Sequence, residues 1–323
     1  MGAAGGRLLK ISWKRYISVN DSAMETLVCT VYYPHNRLRL LIREAVFPML
    51  ERIKEYPEFR LINFRLSAYK GENIILWFEC SDANSREKLR DYINAGMHEF
   101  IIARTETNAR PAEFPLKKLF MDIPPNSIHF WDKHPFKTVT FSGSDAETDR
   151  QVQSLISRQC LNHLFNSGNE SGQDLYKLFI QLIIIFNLVC YGNTVHVPDF
   201  VNRVLLKIKS LKKNSLEAVS LMEGKYRNDY YRNRQQTDQQ VSEMIRLFRS
   251  PMNSSHNLLA LDWVKLFKEI KNMRISNSSA GQLQFYAEIF IEISQKLSLE
   301  ADMLIKAMLN LNLFFGEQVM HSE

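Results

Sequence analysis

Two stretches near the C-terminal end hold the side chains best suited to chemistry. Ser278, Ser279, Gln282 and Tyr286 lie within one predicted helix start, and Asn310 and Asn312 lie in the final predicted helix. Ser279 followed three residues later by Gln282 is a capping-box pattern, and Tyr286 falls one turn further on the same face. If the two stretches face each other, they form a neutral hydrogen-bonding site. Such a site stabilises charge developing on an amide oxygen without itself titrating. The plainer reading makes Ser279 and Gln282 a helix start and the asparagines part of a packed helix.

A second candidate is the segment 225–234, Lys-Tyr-Arg-Asn-Asp-Tyr-Tyr-Arg-Asn-Arg, in which Lys225, Arg227, Arg232 and Arg234 alternate with aromatics. Three readings fit it: an exposed basic stretch between helices, a docking surface for an acidic peptide, or a single-strand nucleic-acid platform. Nucleic acid is the least favoured of the three. The eight histidines include no HExxH and no pair at helical ligand spacing, so no metal site is expected. Neither a GxGxxG nor a GxxxxGK[ST] glycine loop occurs, nor a GxSxG elbow. Common dehydrogenase, kinase and hydrolase chemistries are disfavoured.

The 323 residues, 45% of them apolar, suffice for a large core. A net charge of +6 favours an acidic partner without specifying one. Cys29, Cys80, Cys160 and Cys190 are far apart with no CxxC, the usage of free thiols in a cytoplasmic protein. The opening Met-Gly-Ala-Ala-Gly-Gly has no apolar signal stretch. The most apolar run, 178–191, is too short for a bilayer and reads as a buried helix, so no membrane association is expected.

Which elements must position these residues? Thr26 to Tyr33 reads as a strand, followed by a helix kinked at Pro48. Two strands, 59–69 and 73–80, flank a short loop at 70–72, and a helix follows Ser85. Residues 105–145 are proline-rich and read as irregular. Beyond them helices are expected at 146–166, 172–191, 197–211, 214–225, 237–249, 258–273, 281–296 and 299–315. The expected class is α+β: an N-terminal β-α-β-β-α sandwich half followed by a largely helical region. Residues 1–12 read as a disordered or appended N-terminus, 13–145 as the α/β region, and 146–323 as the helical region completing the same unit.

Several segments, in order, resemble the elimination domain of lanthipeptide dehydratases and, among its relatives, the thiopeptide pyridine synthases. Trp13 and Tyr16 come first, then the strand over 27–33, then Leu40-Leu-Ile-Arg-Glu-Ala-Val-Phe-Pro48. The latter is similar to the family's helix with an internal proline. Asn63-Phe-Arg-Leu-Ser-Ala-Tyr69, Gly71 and Ile74-Ile-Leu-Trp-Phe78 resemble its Phe-Ile-Arg-Tyr…Gly-Pro-His-Leu-Arg-Leu-Arg hairpin. His134-Pro135, Phe141-Ser-Gly-Ser144 and Ser157-Arg158 follow, and Asn312 with Gly316 occupy places in the family's closing His-Met-His-x-Asn-Arg-Leu-x-Gly run.

The departures concern acid–base groups. Glu72, Asn73, Ile75, Leu76 and Trp77 replace the hairpin's histidine and arginines, and Met308 and Asn310 replace the terminal histidines. Elimination of glutamate from a glutamylated Ser or Thr needs a base and an acid, so their loss disfavours it. The resemblance then implies the other chemistry: formal [4+2] cycloaddition of two dehydroalanines in a leader-bearing, dehydrated precursor peptide, with release of water and leader and no cofactor. It implies catalytic roles among Ser278, Ser279, Tyr286, Asn310 and Asn312, and substrate contacts from Arg65, Tyr69, Gln282, Ser157, Lys225, Arg227 and Arg232. Alternatives are a glutamate-elimination component or a non-enzymatic peptide- or RNA-binding module.

Overall fold

A computed structural model describes residues 24–34, 37–67, 72–105, 126–131, 140–167, 171–211, 216–249, 258–273 and 279–320. The expectations placed on Trp13, Tyr16, Tyr69, Gly71, His134 and Ser278 lie outside these residues, as does the side chain of Ser279. Strands β1 (Glu25–Tyr32), β2 (Phe59–Ser67), β3 (Asn73–Cys80) and β4 (Ser127–Trp131) form one sheet in the order β2-β3-β1-β4. Every neighbouring pair is antiparallel. The expected α+β class is the one observed, with the sheet at the N-terminal end and helices dominating the remainder.

β4 corrects the expectation that 105–145 is irregular. Asn126 takes φ 60°, a left-handed conformation that asparagine tolerates, and turns the chain into the strand. Its backbone N–H donates to the Tyr32 carbonyl at 2.7 Å, setting the register against β1. The prolines around the strand hide its short alternating pattern.

The helix after β1, α1, covers 38–53 in three parts: Leu38–Leu41, a π-helical turn Ile42–Val46, and Phe47–Ile53. Pro48 has no N–H for the preceding turn, and the wider π turn sits immediately before it. This is the interruption Pro48 predicts. α2 (Ala83–Thr105) packs on the same face of the sheet.

The helical region comprises α3 (Ala146–Asn166), α4 (Gly172–Tyr191), α5 (Val197–Leu211), α6 (Leu216–Arg232), α7 (Arg234–Arg249), α8 (Leu258–Lys271), α9 (Ser279–Lys296) and α10 (Ala301–Met320). Beyond its first turns α4 is apolar nearly all round because it runs through the core, where Phe179, Leu182, Ile183, Ile184 and Phe186 are all buried. It is long and apolar enough to cross a membrane by composition alone, and 56% of its apolar window is buried within the fold. Ser171 begins it with a complete capping box: Asp174 N–H donates to Ser171 Oγ, and Ser171 N–H to Asp174 Oδ2. Ser171→Ala is expected to cost about 1 kcal/mol in urea denaturation. Gly192, at φ 76°, stops the helix.

β2 joins sheet to helices through a bulge at Ile62, between the Leu61 and Asn63 pairings. Ser154 Oγ of α3 donates to the Leu61 carbonyl at 2.7 Å. Lys296, at the end of α9, is fully buried and donates to Asn63 Oδ1 and, at 2.6 Å, to the Phe64 carbonyl. It also pairs with Glu292 at 3.0 Å, one turn back. Burial pushes the Lys296 ammonium below its usual pKa, and the Glu292 carboxylate opposes that shift.

A second buried carboxylate, Glu288, ties the segment before α3 to α5 and α9. It accepts from Ser142 N–H (2.7 Å), Ser142 Oγ (2.8 Å), Lys207 Nζ (2.6 Å) and Gln284 Nε2 (2.9 Å). Burial alone would raise its pKa, but these donors together lower it. A depressed folded pKa adds stability above the unfolded value, near 4.3, that is lost as pH falls through the folded one. Glu288→Gln is therefore expected to cost about 1–3 kcal/mol at pH 7. The gap from wild type should close on acidification, which urea midpoints against pH would reveal.

Candidate functional site

Four helices line a half-open cavity of about 280 Å³. α4 contributes Gln173 and Tyr176, the end of α6 gives Asp229 and Tyr230, and α7 gives Gln236, Thr237 and Gln240. Lys306 and Asn310 come from α10, and Asn233 from the α6–α7 junction. α4, α7 and α10 present residues three or four apart, the spacing that keeps side chains on one face. Most of the polar lining is neutral amide or hydroxyl.

Asn310 is the centre of the polar wall. Its Nδ2 donates to the Tyr176 hydroxyl oxygen at 2.5 Å, while its Oδ1 is buried and meets no donor among the described residues. Burial raises the Tyr176 pKa, with the Asn310 contact opposing, so the phenol stays protonated at neutral pH. Its O–H proton is therefore available to a third group. The pair thus offers one hydroxyl donor and one carbonyl acceptor. Turning the Asn310 amide round exchanges the roles and keeps one of each. This is the complement of a peptide group.

The other expected site residues are dispersed. Tyr286 is buried in the aromatic core, its ring 4.9 Å from Phe186, and burial raises its pKa. Phe186 lies ten residues beyond Tyr176 on α4, about 15 Å at helical rise. Tyr286 therefore does not share the wall of Asn310. Gln282 is half-buried on α9, one turn before Tyr286. Asn312 points away from Asn310 and donates to Asn202 Oδ1 of α5 at 3.0 Å. Ser157 is fully buried and donates to the Ile62 carbonyl and Asn63 Oδ1, both at 3.4 Å, at the bulge. Arg65 donates to Gln295 Oε1 at 3.0 Å, joining β2 to α9.

The segment 225–234 is corrected from an inter-helix stretch to the last turns of α6. Only Asn233 separates α6 from α7. Tyr226 and Tyr230, four residues apart, turn inward and are buried, whereas Lys225, Arg227 and Arg232 are exposed. Tyr226 and Tyr230 are consequently not free to stack on bases, and Tyr231 alone of the three tyrosines is exposed. Tyr230 donates to Asp238 Oδ1 at 2.7 Å, and Tyr226 to Asp302 Oδ2 at 3.3 Å. Sequence reasoning missed Tyr176, Tyr230, Lys306 and the α7 glutamines. Their signal is polar pairs at helical spacing, which surface helices show as well.

Among the described residues no cluster of three or more His, Cys, Asp or Glu could hold a metal ion. Cys29, Cys80 and Cys160 are buried free thiols and Cys190 is half-buried and free. Burial raises all four pKa values, so none is a ready nucleophile.

No family model and no curated protein matches the chain in sequence. Solved structures do match in shape. The pyridine synthase TbtD from thiomuracin biosynthesis superposes with a TM-score of 0.64 at 14% identity, over 92% of this chain and 99% of that one. TsrL matches at 0.56 and 10% identity, over 92% and 96%. The tRNA-dependent lantibiotic dehydratase MibB from Microbispora sp. 107891 matches at 0.53 and 13% identity, over 96% of this chain but only 29% of MibB. This chain therefore has the fold shared by the pyridine synthase TbtD, TsrL and a part of the lantibiotic dehydratase MibB.

Proposed function

We propose that this protein is a cytoplasmic peptide-tailoring enzyme of thiopeptide biosynthesis. It joins two dehydroalanines of a leader-bearing precursor by formal [4+2] cycloaddition, with residues 13–145 and 146–323 acting as one catalytic unit. The observation that carries this reading is the Tyr176–Asn310 pair in a largely neutral cavity. The four-atom component is one dehydroalanine with its neighbouring amide in the iminol form. Reaching that form moves the amide proton from nitrogen to oxygen. An acceptor for the N–H and a donor to the oxygen favour the shift, and Asn310 Oδ1 with Tyr176 O–H are one of each. Addition to the second dehydroalanine closes the six-membered ring with two new C–C bonds, which join the alkene CH2 and the iminol carbon at the two ends of this component to the two carbons of the second alkene. Loss of water, then of the leader peptide as an amide, aromatises it. Holding both alkenes in one cavity lowers the barrier by effective molarity.

Exposed Lys225, Arg227 and Arg232 lie on α6, the helix whose inner residues Asp229 and Tyr230 line the cavity. An acidic leader bound there would run alongside the reacting segment. In this reading Asn310 is the catalytic member of the sequence-derived set, joined by Tyr176. Incubation with a dehydrated, azole-bearing linear precursor should yield a macrocycle and free leader by mass spectrometry. Conversion of a glutamylated peptide instead would establish elimination, and leader binding without product would leave a binding module.

A further inference from the structure

Lys306 is a half-buried cation on the cavity wall with no carboxylate within ion-pair distance among the described residues. Its Nζ lies 5.8 Å from the ring centroids of both Tyr176 and Tyr226. Two aromatic faces thus hold the ammonium in place without neutralising it. Asp302, four residues earlier, is the usual helical partner for such a lysine. Here its Oδ2 accepts from Tyr226 and its Oδ1 from the Met303 N–H at 2.8 Å. Asp229 lines the same cavity from α6 and is likewise not paired with Lys306. Asn310, with its unpartnered Oδ1, follows one turn along α10.

We infer that Lys306 is a carboxylate subsite, which binds an acidic group of the peptide in the cavity one helical turn from the amide-binding pair. The aromatic sandwich positions the cation, and Asp302 is held out of its reach, so the charge remains available to a ligand. Asp229 opposes the same anion from across the cavity and limits the affinity. The inference rests on reading this cavity as a peptide site, but its test records binding alone and needs no turnover.

Three blocked dipeptides separate the sources of the carboxylate: N-acetyl-Ala-Glu-amide (side chain), N-acetyl-Ala-Gln with a free C-terminus, and neutral N-acetyl-Ala-Gln-amide. In ligand-observed NMR titrations of the full chain, at least one acid should bind about tenfold more tightly than the neutral peptide. Lys306→Gln should abolish that preference, Lys306→Arg should keep it, and Lys88→Gln, at an exposed lysine of α2 outside the cavity, should leave it unchanged. Asp229→Asn should strengthen it. Equal affinity for acids and amide, no detectable binding of either acid, or a preference that survives Lys306→Gln would overturn the subsite. A preserved preference with no macrocycle from the linear precursor would sink the cycloaddition reading and leave this one standing.

Discussion

Glu292→Ala is expected to destabilise the protein by about 3–5 kcal/mol in urea denaturation, the largest loss from any single change considered. The substitution strands the Lys296 ammonium in the core, where water cannot reach it. Lys296 still donates to Asn63 and the Phe64 carbonyl, and its Nζ lies 4.8 Å from the Phe64 ring centroid, but none of these supplies a negative charge. The double variant Glu292→Leu with Lys296→Met removes both charges and should recover about half of the loss. It should not recover all, because Asn63 and Phe64 then lack a donor and a buried unmet acceptor is costly. If the double variant is as unstable as Glu292→Ala, the cost does not come from an orphaned charge. The site matters because it pins the β2 bulge to α9, holding the sheet against the helices.

The second large effect is catalytic. Asn310→Ala and Tyr176→Phe should each lower the rate of macrocycle formation by about a hundredfold, the scale of removing one preorganised hydrogen-bonding group from a reacting oxygen. The double variant should lose little beyond either single one, since the two residues act as a unit. Asn312→Ala provides the control. It projects from a different face of α10 toward Asn202 of α5, so its rate should stay within about threefold of wild type. Equal rates for Asn310→Ala and wild type, with folding intact by circular dichroism, would remove this pair from the mechanism.

Much of the fold was legible because periodicity is a local property. α3, α4 and α5 begin and end where their caps and apolar spacing place them, at Asp145, Ser171 and Gly192 among others. β1, β2 and β3 follow from their β-branched and aromatic content. β4 was not legible, since its five residues carry little pattern and its pairing with β1 is a long-range choice. The α6 end was misread because arginine and asparagine density outweighed the four-residue spacing of Tyr226 and Tyr230, which buries them.

The candidate site divides along the same line. The polar residues on each helix, and the lack of histidines around Asn310, follow from the sequence alone, because side-chain type and helical spacing are written in it. Which faces meet is decided by packing between helices distant in the chain. That packing places Tyr176 against Asn310 across 134 residues and sends Tyr286 into the aromatic core instead. It turns Asn312 to Asn202, and commits Asp302 to Tyr226 so that Lys306 has no carboxylate partner among the described residues. None of these pairings has a local signature, since each depends on how two of the helices α4, α5, α6, α9 and α10 rotate against one another. The sequence alone determined that two asparagines and no histidine stand between residues 306 and 316. Only the tertiary structure determined which of those amides faces a cavity.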